Sequence, residues 1–482
     1  MIEKIKLLEH KSRELEPASH ERDEYLDKVI SYSRSFLENI TSLKAYQTTE
    51  DNGKGIYDSP ISDIPVSIDK ILDIIKKHVD TSGINPASGG HLGYVPGGGI
   101  FPSALGDYLA DITNKYAGMF YASPGAVRME NMLIRWMCVM IGFPAETSAG
   151  NLTSGGSIAN LVGIVTARDT ANLKSRDFEK VVFYFTEQAH HSAFKALKIA
   201  GLDEAVIRKI PVDLNFKMKA EALDKQIQSD KKNGLLPFFI YATAGTTDVG
   251  AVDPLEEIGD IAKKHNVWFH IDAAYGGFFL LVDEGKKVIK GTEKADSLIM
   301  DPHKGLFLPY GSGAILVKDG KKLFNSQHYN ASYLQDADKF IEEYSPADLS
   351  LELSKHFRGL RMWLPLKLFG LVPFKASLSE KILLTRYFYE QIQKIKGIEV
   401  GPYPDLSIMI FRYIPKNADP DKFNEKLVQE IQKDGRIFLT STRINNTFFI
   451  RLAVLNFRVH LNTIELALEI IKNKIKLLSL NL

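Results

Sequence analysis

The chain has 482 residues, 45% hydrophobic and 25% charged, with 60 Lys+Arg against 59 Asp+Glu. That is the balance of an ordinary globular protein with more core than one small domain needs, and it argues against nucleic acid or an anionic membrane surface as partner. Cys138 is the single cysteine, so no intramolecular disulfide forms, and "MIEKIKLLEHKSRELEP" scatters charge where a signal peptide has an apolar centre. No apolar run reaches the roughly 20 residues that span a bilayer, so a cytoplasmic protein is expected.

In chain order, "YLDKVISYSRSFLENI" and "SIDKILDIIKKHV" have the spacing of amphipathic helices, suited to packing or dimer contact, with the polar "YQTTEDNGKGIYDSP" between them. From Gly150 onward, short apolar runs alternate with helical patterns. "VVFYFT" (181–186), "FFIYAT" (238–243), "VWFHID" (267–272) and "SLIMD" (297–301) predict buried strands. "SAFKALKIAG", "KAEALDKQIQSDKKNG" and "DPLEEIGDIAKKHN" predict helices, several closed by Gly or Asn. "FFLLV" (278–282) reads as strand or helix core. The alternation implies an α/β domain whose ligand sits at the carboxyl ends of a largely parallel sheet. After about Pro373, "SLSEKILLTRYFYEQIQKI", "LSIMIFRYI" and "TFFIRLAVLNF" suit a smaller α+β C-terminal domain. The expected division is a helical segment over 1–80, a large domain over 81–372 and a small one over 373–482.

Four features at these strand ends bear on chemistry. Lys304 lies just past the run Ser297–Met300, between a histidine and a glycine. There a lysine is expected to lose hydration and basicity, as a Schiff-base amine requires. Asp272 ends a strand and is followed by the small Ala273 and Ala274, leaving room for a flat ring whose protonated nitrogen the carboxylate could pair. His190 or His191 could stack on that ring, opposite Ala274. Thr153, Ser154, Gly155, Gly156 and Ser157 precede a helix, a place suited to phosphate. This turn lacks the patterns GxxxxGK[ST] and GxGxxG, against a nucleoside triphosphate or dinucleotide. "TAGTTDVG" places Thr246 and Thr247 after another strand. Each feature alone is more often a cap, a loop or a surface residue. Together they describe the needs of pyridoxal 5'-phosphate, with no metal.

"DPHKG", "HIDAAYGG" and "EQAHHS" also resemble, in order and spacing, the Pro-His-Lys, Asp-x-Ala and Gln-x-His segments of the group II pyridoxal-phosphate-dependent decarboxylases. That family includes the aromatic-L-amino-acid, tyrosine, histidine and glutamate decarboxylases, and the resemblance runs from about Ser31 to the C-terminus. It implies a fold type I, aspartate-aminotransferase-like subunit with a mainly parallel seven-stranded sheet and a smaller C-terminal α+β domain. It also implies a homodimer with the active site at the interface. By the same resemblance Lys304 carries the cofactor, Asp272 pairs with the pyridine nitrogen and His190, not His191, stacks on the ring. Gly156, Ser157, Ser297 and Asp301 match phosphate-side positions, Thr246 lies near the ring hydroxyl and His303 falls beside the lysine. The implied reaction is loss of CO2 from an L-amino acid.

On the substrate side Tyr94 and Pro96 match the family, and Tyr94, Phe101 and Phe120 could receive an aromatic side chain. Pro86, Gly90, His91 and Leu92 stand where aromatic decarboxylases carry Trp and bulky aromatics, so a smaller or polar amino acid remains an alternative. In amine-producing members a loop tyrosine donates the proton to Cα; an ungapped match puts Pro346 there, with Tyr344 and Tyr333 as displaced candidates. An aldehyde-forming oxidative decarboxylase is thus a second alternative. Arg358, Arg361 and Arg451 could grip a carboxylate, which would favour an aminotransferase, or form structural ion pairs. A non-catalytic cofactor-binding scaffold is the remaining reading, disfavoured by Lys304, Asp272 and His190 occurring together.

Overall fold

The computed structural model describes residues 1–329 and 343–480, and the chain divides into two compact units, residues 1–91 with 432–438 and the remainder. The first unit holds helices Ile2–Ser12, Ser19–Asn39 and Ile68–His78 and a two-stranded antiparallel pair, β1 (Tyr46–Gln47) and β2 (Gly83–Ile84). The second and third helices are those expected from the apolar spacing. Ile68–His78 opens with Asp69 and closes with Lys76, Lys77 and His78, charges placed to suit its dipole.

The second unit is built on seven strands, β3 (Ala149–Thr153), β4 (Val181–Phe185), β5 (Val206–Lys209), β6 (Leu236–Thr243), β7 (Trp268–Asp272), β8 (Ser297–Met300) and β9 (Gly313–Val317). Their order in the sheet is β3-β9-β8-β7-β6-β4-β5. β9 is antiparallel to both its neighbours and the other pairings are parallel. Strands β4, β7, β8 and β9 are buried throughout, which is why they read as unbroken apolar runs. β3, β5 and β9 were not among the predicted strands: β3 carries Gly150, Asn151 and Thr153, which lack a strand's usual composition, and β5 is a four-residue edge strand with Arg208 and Lys209.

Helices cover both faces of this sheet, and the strand residues alternate between two cores. Val182, Tyr184, Ile240, Ala242, Phe269 and Ile271 enter one. Phe183, Phe185, Phe239, Tyr241 and Trp268 enter the other. His270 and Asp272 are even-numbered steps from Trp268 and share its face, beneath the helix Gly156–Thr170. The helix before β7, Leu255–His265, stops at Asn266, whose φ of +56° is the left-handed turn that Asn tolerates. "FFLLV" proves to be a buried 3₁₀ turn, Gly277–Leu281.

Towards the C-terminus β10 (Ile398–Val400), β11 (Ile408–Tyr413), β12 (Thr440–Ile444) and β13 (Thr447–Ala453) form an antiparallel sheet ordered β10-β11-β13-β12. Asn445 and Asn446, with φ of +49° and +63°, make the two-residue turn between β12 and β13. Helices Val372–Ile392 and Leu461–Ser479 pack against each other beside it. No helix among the described residues is long and apolar enough to cross a membrane.

Candidate active site

The carboxyl ends of β6, β7 and β8, together with the turn after β3, enclose a cavity of about 510 Å³, a volume in the range of small-molecule sites. Lys304, Asp272, His190 and Ala274 all line it, as do Gly156 and Ser157 at the start of the helix Gly156–Thr170. Asp301 and His303 line it beside the lysine, and Tyr94 borders it from the segment that precedes helix Phe101–Thr113. These residues are scattered over more than 200 positions, from Tyr94 to Lys304; the parallel strands gather them because each strand delivers its chain end to the same edge.

Asp272 is 6% exposed. Its Oδ1 accepts the Ala274 N–H (3.0 Å), and its Oδ2 accepts from Asn160 Nδ2 (3.3 Å) and from the Tyr241 hydroxyl. Burial works to raise its pKa, but the Tyr241 hydrogen bond, the Lys304 charge and the Ala274 N–H outweigh it and hold the carboxyl below the usual carboxylate range. The group is therefore an anion in a nearly closed environment. Such an anion suits pairing with a cationic ring nitrogen.

Lys304 sits on a one-turn helix, Pro302–Gly305, that begins with proline at its first position after Asp301. Its Nζ lies 2.9 Å from Asp301 Oδ2. The expected loss of basicity is not found. Burial does lower its pKa, but Asp301 and Asp272 overcome that and raise it above the ordinary lysine value. A lysine considered by its own burial lacks these two carboxylates, one of them only three residues away. Gly97 packs directly on this turn: a Cβ there would lie 2.6 Å from the His303 carbonyl oxygen and 2.8 Å from that of Lys304, so only glycine permits the approach.

His190 caps the helix His191–Ile199, its Nδ1 accepting the Ser192 N–H (3.3 Å) and lying 2.7 Å from the Ser192 hydroxyl. A backbone N–H can only donate, so Nδ1 carries no proton. Burial lowers its pKa, favouring the neutral ring. His191 is exposed and borders no part of the cavity. His303 is likewise pushed down by burial, and its Nδ1 donates to the Ser312 carbonyl (2.5 Å).

Several expected site residues stand elsewhere. Thr246 is fully buried and its hydroxyl accepts the Ala251 N–H (3.1 Å) within its own loop; Thr243 and Thr247 border the cavity in its place. Ser297 begins β8, at the strand end remote from the site, where it accepts from Trp268 Nε1 (2.9 Å) and meets His270 Nδ1 (2.7 Å). Phe101 lies on an exposed helix face, and Phe120 is buried under the Arg128 guanidinium, 5.0 Å from its ring centre. Neither lines the cavity of its own chain. Tyr344 also stands outside it, its ring 5.6 Å from that of Phe324, and Tyr333 lies outside the described residues.

The arginines prove structural. Arg358 forms a paired contact with Glu352 (2.8 and 3.0 Å), and Arg361 binds Asp107 through Nε (2.7 Å). Arg451, 3% exposed, donates to the carbonyls of Thr247 (2.7 Å) and Tyr94 (3.0 Å). Tyr94 has a φ of +43°, a costly conformation for a side chain of this size. The bond from Arg451 holds it there.

The sequence reading missed Tyr241, Asn160 and His270. A usable signal existed: His270 is two residues before Asp272 on one strand face, and Asn160 is one turn beyond Gly156 on its helix. The residues present fit pyridoxal phosphate. A Cβ on Gly156 would meet Asp301 Oδ2 at 3.2 Å and the Ala274 Cβ at 3.4 Å, so the missing side chain keeps open the space between a helix N-terminus and the Asp272–Ala274 turn. Lys304, Asp272 and His190 would offer it an amine, an anion and a flat face. Burial drives the His270 pKa down from 6.5 to about 4 despite the nearby Asp272 charge. A depressed histidine binds its proton in the unfolded chain first, so its contribution to stability is complete above about pH 6.5 and is lost as the pH falls through 4. Over that window the loss is on the order of 3 kcal/mol. Urea unfolding at stepped pH should show a shallower acid loss in His270→Gln than in the native chain, and equal slopes would contradict a neutral, buried His270.

The model of the pyridoxal-dependent decarboxylase conserved domain matches residues 53–414. The chain is 37% identical over 393 residues to the aromatic-L-amino-acid decarboxylase of Bacillus atrophaeus, 80% of each chain. With the histidine decarboxylase of Homo sapiens it shares 29% identity over 457 residues, 90% of this chain and 68% of that one. Among solved structures, that of Oryza sativa TDC with PLP and tryptamine superposes with a TM-score of 0.90 at 24% identity, covering 96% of this chain and 99% of that one. That of Rhodiola rosea 4-hydroxyphenylacetaldehyde synthase gives 0.87 at 21% identity, covering 95% and 98%. The fold type I architecture expected from the sequence is the one observed. The chain belongs to the pyridoxal-dependent decarboxylase family, with pyridoxal phosphate as its cofactor and decarboxylation of an amino acid as its reaction.

Proposed function

We propose that this enzyme converts an aromatic L-amino acid to its amine and CO2. The observation that carries the chemistry is the meeting of Lys304, Asp272 and His190 in one cavity. The likeness to the Bacillus atrophaeus aromatic-L-amino-acid decarboxylase, together with Tyr94 at the cavity, supports the aromatic side chain. When bound, pyridoxal phosphate supplies an aldehyde that condenses with amines and a cationic ring that takes up the electron pair left by a departing carboxylate.

The chain's own residues supply the rest. Lys304 Nζ would hold the cofactor, and Asp301 Oδ2, at 2.9 Å, positions that amine at the cavity. Asp272 keeps the ring nitrogen protonated, because its three donors fix it as an anion that cannot turn away. His190, held by the cap at Nδ1, would offer the cofactor ring a flat face, with Ala274 lining the same cavity. Gly156 and Ser157, at a helix N-terminus, receive the phosphate. Arg358 and Arg361 are engaged by Glu352 and Asp107, which leaves neither for an in-plane carboxylate clamp and favours decarboxylation over transamination.

A homodimer is the assembly this reading favours. Phe101, Leu105, Tyr108, Leu109 and Ile112 recur along one face of helix Phe101–Thr113, each at least 42% exposed. That is a continuous apolar stripe of the kind a second subunit covers. It also accounts for Phe101 lying away from its own chain's cavity. Sedimentation equilibrium should return twice the chain mass of 54.0 kDa; a monomer at micromolar concentration would remove the dimer.

Two experiments test the activity. In cofactor-saturated protein, CO2 release across a panel of L-amino acids, with products identified by mass, should favour Trp, Tyr, Phe or dihydroxyphenylalanine and yield amines. Preference for His or Glu would move the pocket assignment, and an aldehyde product would establish the oxidative alternative. Lys304→Ala should lose covalent cofactor attachment, whereas Asp272→Ala should retain the lysine linkage and lose at least about 100-fold in kcat, the scale expected when a stabilising charge is removed from the reacting ring. Normal turnover in Asp272→Ala would sink the assignment of that carboxylate.

A further inference from the structure

Behind Asp272 a line of polar side chains runs through the core between β7, β8 and helix Gly156–Thr170. Asn160, Ser192, His270 and Ser297 are each at most 5% exposed. Asn160 Nδ2 faces Asp272 Oδ2 (3.3 Å) and the Ser192 hydroxyl (3.2 Å), while its Oδ1 faces His270 Nε2 (2.9 Å). His270 Nδ1 meets the Ser297 hydroxyl (2.7 Å), which in turn accepts from Trp268 Nε1 (2.9 Å).

Only one assignment of protons satisfies this line. Ionised Asp272 can only accept, so the NH2 end of Asn160 points to it and the oxygen end points to His270. His270 must then donate from Nε2. Trp268 Nε1 can only donate, so Ser297 uses a lone pair there and gives its own hydrogen to His270 Nδ1. A neutral His270 closes every donor and acceptor; a protonated one would leave Nδ1–H and the Ser297 hydroxyl hydrogen competing for a single contact. On the other side, Asn160's second amide hydrogen goes to the Ser192 oxygen, so the Ser192 hydroxyl hydrogen is left for His190 Nδ1 (2.7 Å).

We infer that Asn160 is a positioning residue for the cofactor ring: its two amide hydrogens couple the Asp272 carboxylate to the His190 cap, and neutral His270 sets which way the amide points. This rests on the ring lying between His190 and Ala274 with Asp272 at its nitrogen, as proposed above. Asn160 and Tyr241 both load Oδ2 and leave Oδ1 with the Ala274 N–H alone. The less heavily loaded oxygen is the stronger acceptor and would accept the hydrogen bond from the ring N–H, the proton staying on the nitrogen. Removing the Asn160 donor equalises the two oxygens and raises the proton affinity of the whole carboxylate.

Histidine-selective ¹⁵N NMR of apo and cofactor-loaded protein gives the first test. His270 should be neutral with its proton on Nε2 in both forms, and a proton on Nδ1 would overturn the inference without any variant. Asn160→Leu should weaken cofactor binding by about 10–100-fold, the scale of losing a hydrogen bond to a charged group. It should also shift the pH at which the bound cofactor's absorption band changes. His270→Phe, which leaves Asn160 in place, should move both readouts the same way, and His270→Gln, which can still donate to Asn160 and accept from Ser297, should move them back. Native affinity and a native absorption titration in folded Asn160→Leu would overturn the inference. Asp272→Asn separates the two levels: if it too leaves the absorption unchanged, the ring placement fails; if it alters the band while Asn160→Leu does not, only the role of Asn160 fails.

Discussion

A carboxylate kept charged at the buried end of a parallel strand is the constraint on which the site depends. An ion removed from water costs several kcal/mol unless hydrogen bonds and an opposite charge replace its hydration, and stripping one partner from such a group typically costs about 3–5 kcal/mol. Asp272 meets that demand with the Tyr241 hydroxyl from the adjacent strand, the Asn160 amide from the helix above, the Ala274 N–H from its own turn and the charge of Lys304. Each partner comes from a different element. The positions of β6, β7, β8 and helix Gly156–Thr170 relative to one another are thus part of the electrostatics, and the two aromatic-rich cores on the sheet's faces hold them.

The same logic explains why the basicity of Lys304 is raised. Burial alone would lower its basicity, but two carboxylates lie within reach, and the one at 2.9 Å belongs to the residue just before its helical turn. The Gly97 approach to the lysine turn and the Arg451 bond to the strained Tyr94 backbone fix the segment on the opposite side of the cavity. Arg451 holds this segment through two main-chain carbonyls, those of Thr247 and Tyr94.

Much of this was legible along the chain. The runs that became β4, β6, β7 and β8 are apolar because both faces of those strands are covered, and the helices between them carry the expected periodicity and caps. Lys304, Asp272, His190, Gly156, Ser157, Ala274, Asp301 and His303 line one cavity because each ends or follows a strand, or opens a helix, at the same sheet edge, and Tyr94 joins them from the segment before helix Phe101–Thr113. Strand β3 escaped because its glycine and polar residues are buried by neighbours and not marked by their own apolarity. Ser297 and Thr246 were misplaced for a related reason. Position in a motif does not say which end of a short strand a hydroxyl occupies, or whether its loop has already taken the hydrogen bond.

The amino-acid sequence by itself determined the alternation of strands and helices, the near-neutral globular composition and the residue types that suit pyridoxal phosphate, since periodicity and side-chain chemistry are local properties. Tertiary structure alone decided how those residues are charged and aimed. The Lys304 pKa is raised by Asp301 and by Asp272, which strand pairing brings to it, Asp272 is ionised by donors from three separate elements, and neither Phe101 nor Phe120 lines the cavity. Charge state and direction depend on distances between elements remote in the chain, and those distances exist only once the sheet has closed its core.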